Sequence, residues 1–472
     1  MTFKYFSKSV SLSLIFALIV AFPAVTNSQS KQNVNFGELE QTISQELREK
    51  NAVGAAIAIV SGNRVVFAKG FGAANAETDA PVTPETLFQI GSVTKTFTAA
   101  MITGMAADGK IKLDAPVGNY AKNLSPKLAA ATFAQLLSHT AGILDEPDEY
   151  GAQDESLMAT YLRSWKDDYA LFNPGEVFSY SKSGYALAGF AAQESAGKYY
   201  ADLMSERVFA PLGMTRTMFR PTVAMTYPLA VGHRSGKAGE KPSVVRPLPH
   251  DARLYPAGTM YSNLNDLARF AVACLNEGKI DGKQIINPNV IEQMKTPRGK
   301  QLSAADEISY GFGLFMNRER GVQKYWHDGS MTGYTAQTLF VPEKRLGIII
   351  LSNTNNVTFD KTQKKALDLM VNRGTAPPKS KNGAQPVSLA EMQKYVGIYD
   401  QPNRFRIEIF TRDGKLMIKE FNQEMPLLKI GENRFSLQFP QAQQPLEIYV
   451  QPAENGKNGF VHQYVWAFRK IN

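Results

Sequence analysis

Apolar positions follow two different spacings along this chain, and the spacing changes near residue 388. Before that point, apolar residues three to four positions apart predict helices, the clearest at residues 36–50, 94–107, 183–196, 265–276 and 360–372. Apolar runs around short turns predict two hairpins, one at 53–60 with 64–71 and one at 335–341 with 346–352. The hairpins stand near opposite ends of this stretch, with the predicted helices of a helical middle between them.

After residue 388, short strand candidates separated by turns replace the helices. They lie at residues 404–411, 415–420, 434–439, 446–450 and 460–469. Residues 374–388 contain three prolines, two glycines and two lysines and no long apolar run, which is typical of a linker. The pattern therefore predicts a larger domain at 29–373, a linker at 374–388 and a small β domain at 389–472.

The first 28 residues have the pattern of a secretory signal. Lys4 and Lys8 precede an apolar stretch at 10–25, and small residues near Ala24 and Ser28 offer cleavage sites. We expect export to the periplasm or the outside of the cell. An uncleaved anchor is the alternative, although the apolar span is short for a membrane crossing.

Composition narrows the class without naming a function. The 472 residues are 44% hydrophobic and 20% charged, which is ordinary for a globular chain of more than one domain. The formal charge is +9, but basic residues are scattered and do not alternate with aromatic ones, so nucleic-acid binding is not expected. The single cysteine, Cys274, excludes an internal disulfide and lies in an apolar run that predicts burial.

Ser92 and Lys95 carry the strongest candidate chemistry. If a helix begins near Ser92, the two side chains lie one turn apart on the same face. A lysine buried there has a lowered pKa and can take a proton from the serine. The alternative is an ordinary helix with a serine cap and an exposed lysine. Spacing alone does not decide, because the same pattern occurs at Ser28/Lys31, Ser179/Lys182 and Ser195/Lys198.

Other patterns leave more than one interpretation. His139 follows a helix at a turn, and we predict a structural role because the serine–lysine pair needs no histidine. Six acidic residues lie at 145–155, which form either a solvated face or a pocket edge that favours cationic substrates. His-Glu-x-x-His and phosphate-binding loop motifs are absent from the sequence, so we expect no metal and no cofactor.

Several blocks in a fixed order resemble the beta-lactamase-related serine hydrolases, the branch of class C beta-lactamases and penicillin-binding proteins. The resemblance covers residues 36–372 and extends to an appended β domain through residues 395–399. The blocks are residues 86–88 leading into Ser92-Val93-Thr94-Lys95, then 136–142, 174–176 leading into Tyr180-Ser181-Lys182, 256–262 and His327-Asp328-Gly329.

The resemblance implies an α+β fold, with an antiparallel sheet flanked by helices beside an all-helical lobe. In such a fold we expect the two terminal hairpins to pair in one sheet and the helical middle to form the lobe. It implies Ser92 as nucleophile, Lys95 as its activating partner and Tyr180 as the residue that moves protons to the leaving group. The N–H groups of Ser92 and Ser330 would form the oxyanion hole. His327 and Gly329 would edge the substrate site, with Gly329 letting the substrate backbone approach closely.

One position departs from the family pattern. Relatives usually carry an asparagine two residues after the tyrosine, where its amide holds the acyl side of the substrate. Lys182 stands there in this chain and cannot accept a hydrogen bond. Either Lys182 binds a substrate carbonyl or carboxylate, or it faces solvent or serves an ion pair.

We therefore predict an exported serine hydrolase that cleaves an ester or amide through an acyl-enzyme on Ser92. Its partner is a small-molecule or peptide substrate, such as a D-amino-acid peptide derived from peptidoglycan, and no obligate protein partner is expected. The alternatives are a beta-lactamase and a catalytically silent protein that binds wall fragments. The β domain either binds ligand, covers the site or stabilises the fold.

Overall fold

The computed structural model describes residues 34–146, 150–236, 240–304, 307–374, 383–442, 444–454 and 458–472. The predicted signal peptide at 1–28 lies outside the described residues, as does most of the predicted linker. Residues Phe36–Asn472 form one compact unit. Across the described ranges, no helix is both long enough and apolar enough to cross a membrane.

A nine-stranded antiparallel sheet forms the centre of the first part of the chain. Strand Gly54–Ser61 is apolar up to Val60 because both of its faces are covered: Ala56 and Ala58 face one core, and Ile57 and Ile59 face another. It pairs with Leu346–Ser352, so the two predicted hairpins join in one sheet as expected. The strand order is Gly299–Gln301, Ile308–Tyr310, Phe315–Glu319, Val322–Met331, Tyr334–Val341, Leu346–Ser352, Gly54–Ser61, Arg64–Asn75, Ala80–Pro81.

Helices cover both faces of this sheet. Gly37–Glu49 and Asp360–Met370 share one core with it, while Thr94–Ala107 and Leu264–Leu275 belong to the larger core on the other face. The predicted helix at 94–107 is confirmed at both ends, and the one predicted at 183–196 begins at Lys182. The remaining α-helices are Pro126–Ala130, Phe133–Leu137, Leu157–Ser164, Tyr200–Met204, Ala210–Leu212, Pro221–Ala224, Pro288–Lys295 and Leu389–Tyr395.

Within the described residues, three short antiparallel ribbons lie outside the two large sheets. One of them, Phe88–Gln89 with Tyr261–Ser262, ties the segment before Ser92 to the segment after residue 256. The other two are His233–Arg234 with Ser243–Val244, and Lys279–Ile280 with Lys283–Gln284. The first ribbon therefore brings two of the sequence blocks together.

A second nine-stranded antiparallel sheet forms the C-terminal part. Its two edge strands, Gln423–Pro426 and Leu428–Gly431, are separated only by Leu427, so the sheet curls until its edges almost meet around their own core. The other strands, in spatial order, are Lys415–Glu420, Arg406–Arg412, Gly397–Asp400, Trp466–Lys470, Phe460–Gln463, Leu446–Gln451 and Arg434–Leu437.

The prediction of one strand at 460–469 is wrong. The segment is a hairpin, because Tyr464 adopts a φ of 54° and reverses the chain between Gln463 and Trp466. No glycine, asparagine or aspartate marks that turn in the sequence. This hairpin packs on the first part of the chain, since Phe460 and Ala467 share an apolar cluster with Leu144 and Phe172.

Candidate active site

Ser92 lies in a single 3-10 turn, Gly91–Val93, which runs directly into the helix Thr94–Ala107. The turn needs glycine at position 91, where φ is +51° and a Cβ atom would lie 2.7 Å from the Ser330 nitrogen. The turn is therefore pressed against the strand Val322–Met331. Because the turn leads directly into the helix, Ser92 lies at the helix N-terminus, where unpaired backbone N–H groups stabilise a developing negative charge.

Lys95 is fully buried beneath Ser92. Its Nζ lies 3.1 Å from Ser92 Oγ and donates a hydrogen bond of 2.6 Å to the carbonyl of Ala257. Burial lowers the pKa of Lys95 well below its ordinary value, and the charge of Asp145 only partly opposes that. The alternative of an exposed lysine on an ordinary helix is therefore wrong, and the amine is placed to accept the proton of Ser92.

Tyr180 lies beside the pair. Lys95 Nζ is 4.8 Å from the centre of the Tyr180 ring. Burial raises the pKa of Tyr180 well above its ordinary value, although the nearby Ser92 hydroxyl opposes the rise. Its hydroxyl is buried and meets no described group in good hydrogen-bond geometry. Tyr180 is thus a protonated phenol with a free hydrogen-bonding capacity.

His327 edges the site, but its ring nitrogens are already used. Nδ1 lies 2.7 Å from the carbonyl of Asp328, which can only accept, so Nδ1 carries the proton. Nε2 then accepts from the Tyr310 hydroxyl at 3.1 Å. Burial lowers the pKa of His327 to about 3, so the ring is neutral. Neither ring nitrogen of His327 is therefore free to form the hydrogen bond to substrate that the predicted substrate-binding role would use.

Gly329 has a different neighbour from the one predicted. A Cβ atom at this position would lie 1.9 Å from the carbonyl oxygen of Ile90 and 3.2 Å from the nitrogen of Ser92. The lack of a side chain at Gly329 lets the Ser92 turn pack against the strand, whereas the sequence predicted that it lets the substrate backbone approach. The next residue, Ser330, lines the same cavity as Ser92, and its backbone nitrogen lies against the Ser92 turn at Gly91.

Two further Ser-x-x-Lys matches have structural surroundings. The Ser179 hydroxyl accepts the amide of Ala467, and Lys198, the partner of Ser195, forms an ion pair with Glu206 on the surface. The match at 28–31 lies outside the described residues. Within the structure, only Ser92 therefore combines this spacing with a buried lysine amine.

His139 has the contacts of a structural residue. Its Nδ1 accepts the amide of Ser181 at 3.0 Å, and its ring lies 4.2 Å from that of Tyr180. Burial lowers its pKa well below the ordinary value. These contacts agree with the predicted structural role of His139, and the structure adds that this role is to support the segment around Tyr180.

Cys274, the only cysteine, is buried as the sequence predicted.

A cavity of about 430 Å³ opens above Ser92. The C-terminal sheet supplies part of its wall, which no motif in the sequence indicated. The lining residues are Ser92, Asp145, Tyr180, Lys182, Asp251, Leu254, Ala257, Gly258, Thr259, Phe315, His327, Asp328, Gly329, Ser330, Met331, Thr335, Asn356, Val357, Thr358, Arg404, Val465 and Trp466.

Asp145 joins the two parts of the chain at this cavity. Its carboxylate accepts the amide of Lys182 at 2.7 Å and the indole N–H of Trp466 at 3.2 Å, and it forms an ion pair with Arg404. The acidic stretch at 145–155 therefore reaches the cavity through a carboxylate that is already neutralised. The prediction that this stretch attracts cations has no support from Asp145.

Lys182 lines the cavity, and its ammonium forms no ion pair with any described residue. The ion-paired alternative is thus not observed among the described residues, and the Lys182 side chain lies at the cavity. Within the described ranges, no group of three or more His, Cys, Asp or Glu side chains is arranged to hold a metal ion.

Comparison with known proteins agrees with this geometry. The sequence profile of the Beta-lactamase family matches residues 39–372. The chain belongs to the beta-lactamase family. It is 28% identical over 316 residues to penicillin-binding protein 4 of Amycolatopsis lactamdurans, covering 65% of this chain and 82% of that protein. The family places it in the superfamily of beta-lactamase- and penicillin-binding-protein-like serine hydrolases.

A second relative is longer than the shared region. Protein flp of Staphylococcus aureus strain N315 is 25% identical over 334 residues, which cover 68% of this chain and 63% of flp. This chain therefore spans less than two thirds of that relative.

Solved structures share the fold over more of the chain than the family profile does. SurE matches with a TM-score of 0.76 at 23% identity, covering 92% of this chain and 98% of SurE. The octameric penicillin-binding protein homologue from Pyrococcus abyssi matches with a TM-score of 0.64 at 24% identity, covering 92% and 100%. The fold, including the C-terminal β part, is thus that of penicillin-binding-protein-like structures.

Proposed function

We propose that this chain hydrolyses an ester or amide through an acyl-enzyme on Ser92. The observation that carries the proposal is the buried Lys95 amine, 3.1 Å from Ser92 Oγ and anchored on the Ala257 carbonyl. Because burial lowers the pKa of Lys95, its amine can accept the Ser92 proton, which makes the hydroxyl a nucleophile. Tyr180, protonated and free at its hydroxyl, supplies the second proton-handling group.

The proposed reaction has two stages, acylation of Ser92 and hydrolysis of the acyl-enzyme by water. Ser92 Oγ attacks the carbonyl while its proton passes to Lys95, and the oxyanion is stabilised by the N–H groups of Ser92 and Ser330. The bond to the leaving group then breaks, and that alcohol or amine leaves with a proton relayed through Tyr180. Water attacks the acyl-enzyme in the same manner, so the acid is released and Ser92 regains its proton.

D-amino-acid peptides are the substrate class that we place first. Support comes from the fold, because a solved structure of SurE contains D-Leu and matches this chain with a TM-score of 0.75 at 23% identity. Lys182 lines the cavity with a free ammonium where relatives present an amide, which favours a peptidase or esterase over a dedicated beta-lactamase. We also propose that the protein is exported, from the pattern of residues 1–28.

A substrate panel with a matched serine control tests the proposal. Nitrocefin, p-nitrophenyl acetate and a D-Ala-D-Ala peptide are offered to the wild type, Ser92→Ala and Ser195→Ala. We expect turnover of the ester or peptide that is lost in Ser92→Ala and kept in Ser195→Ala, because Ser195 shares the spacing but its Lys198 pairs with Glu206. Turnover that survives Ser92→Ala would contradict the assignment, and binding without turnover in the wild type would favour a silent binding protein.

A further inference from the structure

Among the described residues, three aspartates line the cavity above Ser92, and two of them are neutralised by arginines. Asp145 is paired with Arg404 and also accepts the Trp466 indole. Asp251 is buried and accepts three hydrogen bonds of 2.7 to 3.1 Å from the guanidinium of Arg253. Neither carboxylate therefore presents a free negative charge to a ligand.

Asp328 differs from both. Its side chain is exposed within the cavity, and it forms no hydrogen bond or ion pair with any described residue. It sits between His327, whose ring is buried and fully hydrogen-bonded, and Gly329, which touches the Ser92 turn. The free carboxylate is thus fixed on the same strand edge that borders the nucleophile.

The surroundings of Asp328 make an unpaired charge costly. Apolar side chains such as Met331, Val357 and Phe315 line the same cavity. Although the carboxylate is open to the cavity, the surrounding protein removes part of its hydration, and this desolvation raises the pKa of Asp328 to about 7. The negative charge of Asp360 adds to the rise. An ionised carboxylate in such a place is stabilised when a cation reaches it.

The described chain does not supply that cation. Lys182 lines the cavity but lies beyond ion-pair distance of Asp328, and Lys95 is committed to Ser92 and Ala257. Arg404 and Arg253 are held by the other two aspartates. A positive charge at Asp328 must therefore arrive with the ligand.

We propose that Asp328 binds a protonated amine of the substrate, so that the enzyme selects amine-bearing esters or amides and disfavours those with a carboxylate at this wall. This inference rests on the hydrolase function proposed above. Asp328 acts as a specificity-determining residue, since the acyl transfer itself uses Ser92, Lys95 and Tyr180. A charge-assisted hydrogen bond from the ammonium to Asp328 supplies the selectivity.

Competitive inhibition tests the inference without assuming which side of the scissile bond carries the amine. Hydrolysis of p-nitrophenyl acetate is measured at pH 7.5 with butylammonium, butanol or butyrate as inhibitor. Since a hydrogen bond to a charged group is worth about 1.5–3 kcal/mol, we expect butylammonium to inhibit at least about tenfold more strongly than butanol, and butyrate least.

Two substitutions at position 328 and one control complete the design. The preference for butylammonium over butanol should fall to about one in Asp328→Asn and in Asp328→Ser, and persist in Asp413→Asn, which makes the same change on an exposed turn. Thermal melting confirms that each variant is folded.

The outcomes separate this inference from the hydrolase proposal. Ser92-dependent hydrolysis with equal inhibition by all three compounds, or an amine preference that survives both position-328 variants, would overturn the role of Asp328 and leave the hydrolase intact. Absence of Ser92-dependent hydrolysis would contradict the hydrolase proposal and this inference with it.

Discussion

The amide of Tyr180 donates a hydrogen bond of 2.8 Å to the carbonyl of Val465. Val465 lies in the turn of the C-terminal hairpin, so the second sheet helps to hold the tyrosine that we place in proton transfer. Beside this bond, Arg404 and Trp466 bind Asp145, which in turn holds the amide of Lys182. The C-terminal sheet is thus part of the frame of the candidate active site.

Replacing Arg404 with alanine should destabilise this frame. Asp145 is 1% exposed, so the change leaves a buried carboxylate without its cation, at a cost of about 3–5 kcal/mol of unfolding free energy. Urea denaturation measures the loss. Arg412→Ala is the matched control, because its ion pair with Glu424 is exposed and should contribute less than about 1 kcal/mol. Equal effects of the two changes would show that the Asp145 pair does not hold the frame.

Removing the amine of Lys95 should slow acylation while the fold persists. Lys95→Met keeps the length of the side chain and suits a fully buried position, so we expect a cooperative unfolding transition like that of the wild type. Because the variant has no base for the Ser92 proton, kcat/KM for p-nitrophenyl acetate should fall by about 10²–10⁴-fold. A loss of less than threefold would remove Lys95 from proton transfer.

Gly329→Ala should separate the strand from the Ser92 turn. The added Cβ would meet the Ile90 carbonyl at 1.9 Å, so the strand or the turn must move. We expect lower stability together with a loss of Ser92 reactivity toward a fluorophosphonate. Gly104→Ala is the control within the Ser92 helix, where no atom lies within 4 Å of the new Cβ, and it should stabilise by about 0.5–1 kcal/mol. Normal labelling of Gly329→Ala would contradict this role.

The amine preference should depend on pH through Asp328. With a pKa of about 7, its ionised fraction rises from roughly a tenth at pH 6 to nine tenths at pH 8, so butylammonium should inhibit more strongly as pH rises across this range. Asp360 acts on the same carboxylate, and neutral His327 does not titrate there because its pKa is about 3. Inhibition constants at pH 6, 7 and 8 test this. A preference that weakens with rising pH would contradict it.

The sequence predicted those features that depend on local periodicity and on ordered motifs. The helix at 94–107 and the two terminal hairpins follow from apolar spacing, and their pairing in one sheet follows from the family fold; all are observed. The ordered blocks singled out Ser92 among its equivalent matches, and the structure brings Ser92, Lys95 and Tyr180 to one cavity. In these cases, neighbours in the sequence or a family pattern determine the geometry.

Long-range partners could not be predicted in this way. Arg404 and Trp466 meet Asp145 from more than 250 positions away, and no motif links them. The turn at Tyr464 has no turn-forming residue, so the hairpin that carries Val465 was missed. Gly329 was assigned space for substrate, because its contact with Ile90 depends on how the strand and the Ser92 turn pack.

The covalent intermediate offers the most direct test of the central claim. The protein is mixed with p-nitrophenyl acetate, quenched in acid within the first turnover, and measured by intact-mass spectrometry with peptide mapping. The account predicts one added acetyl group, located on Ser92 and absent from Ser92→Ala, while Ser195→Ala still carries it. An acetyl group on any other residue, or full turnover with no acyl adduct at Ser92, would contradict the account.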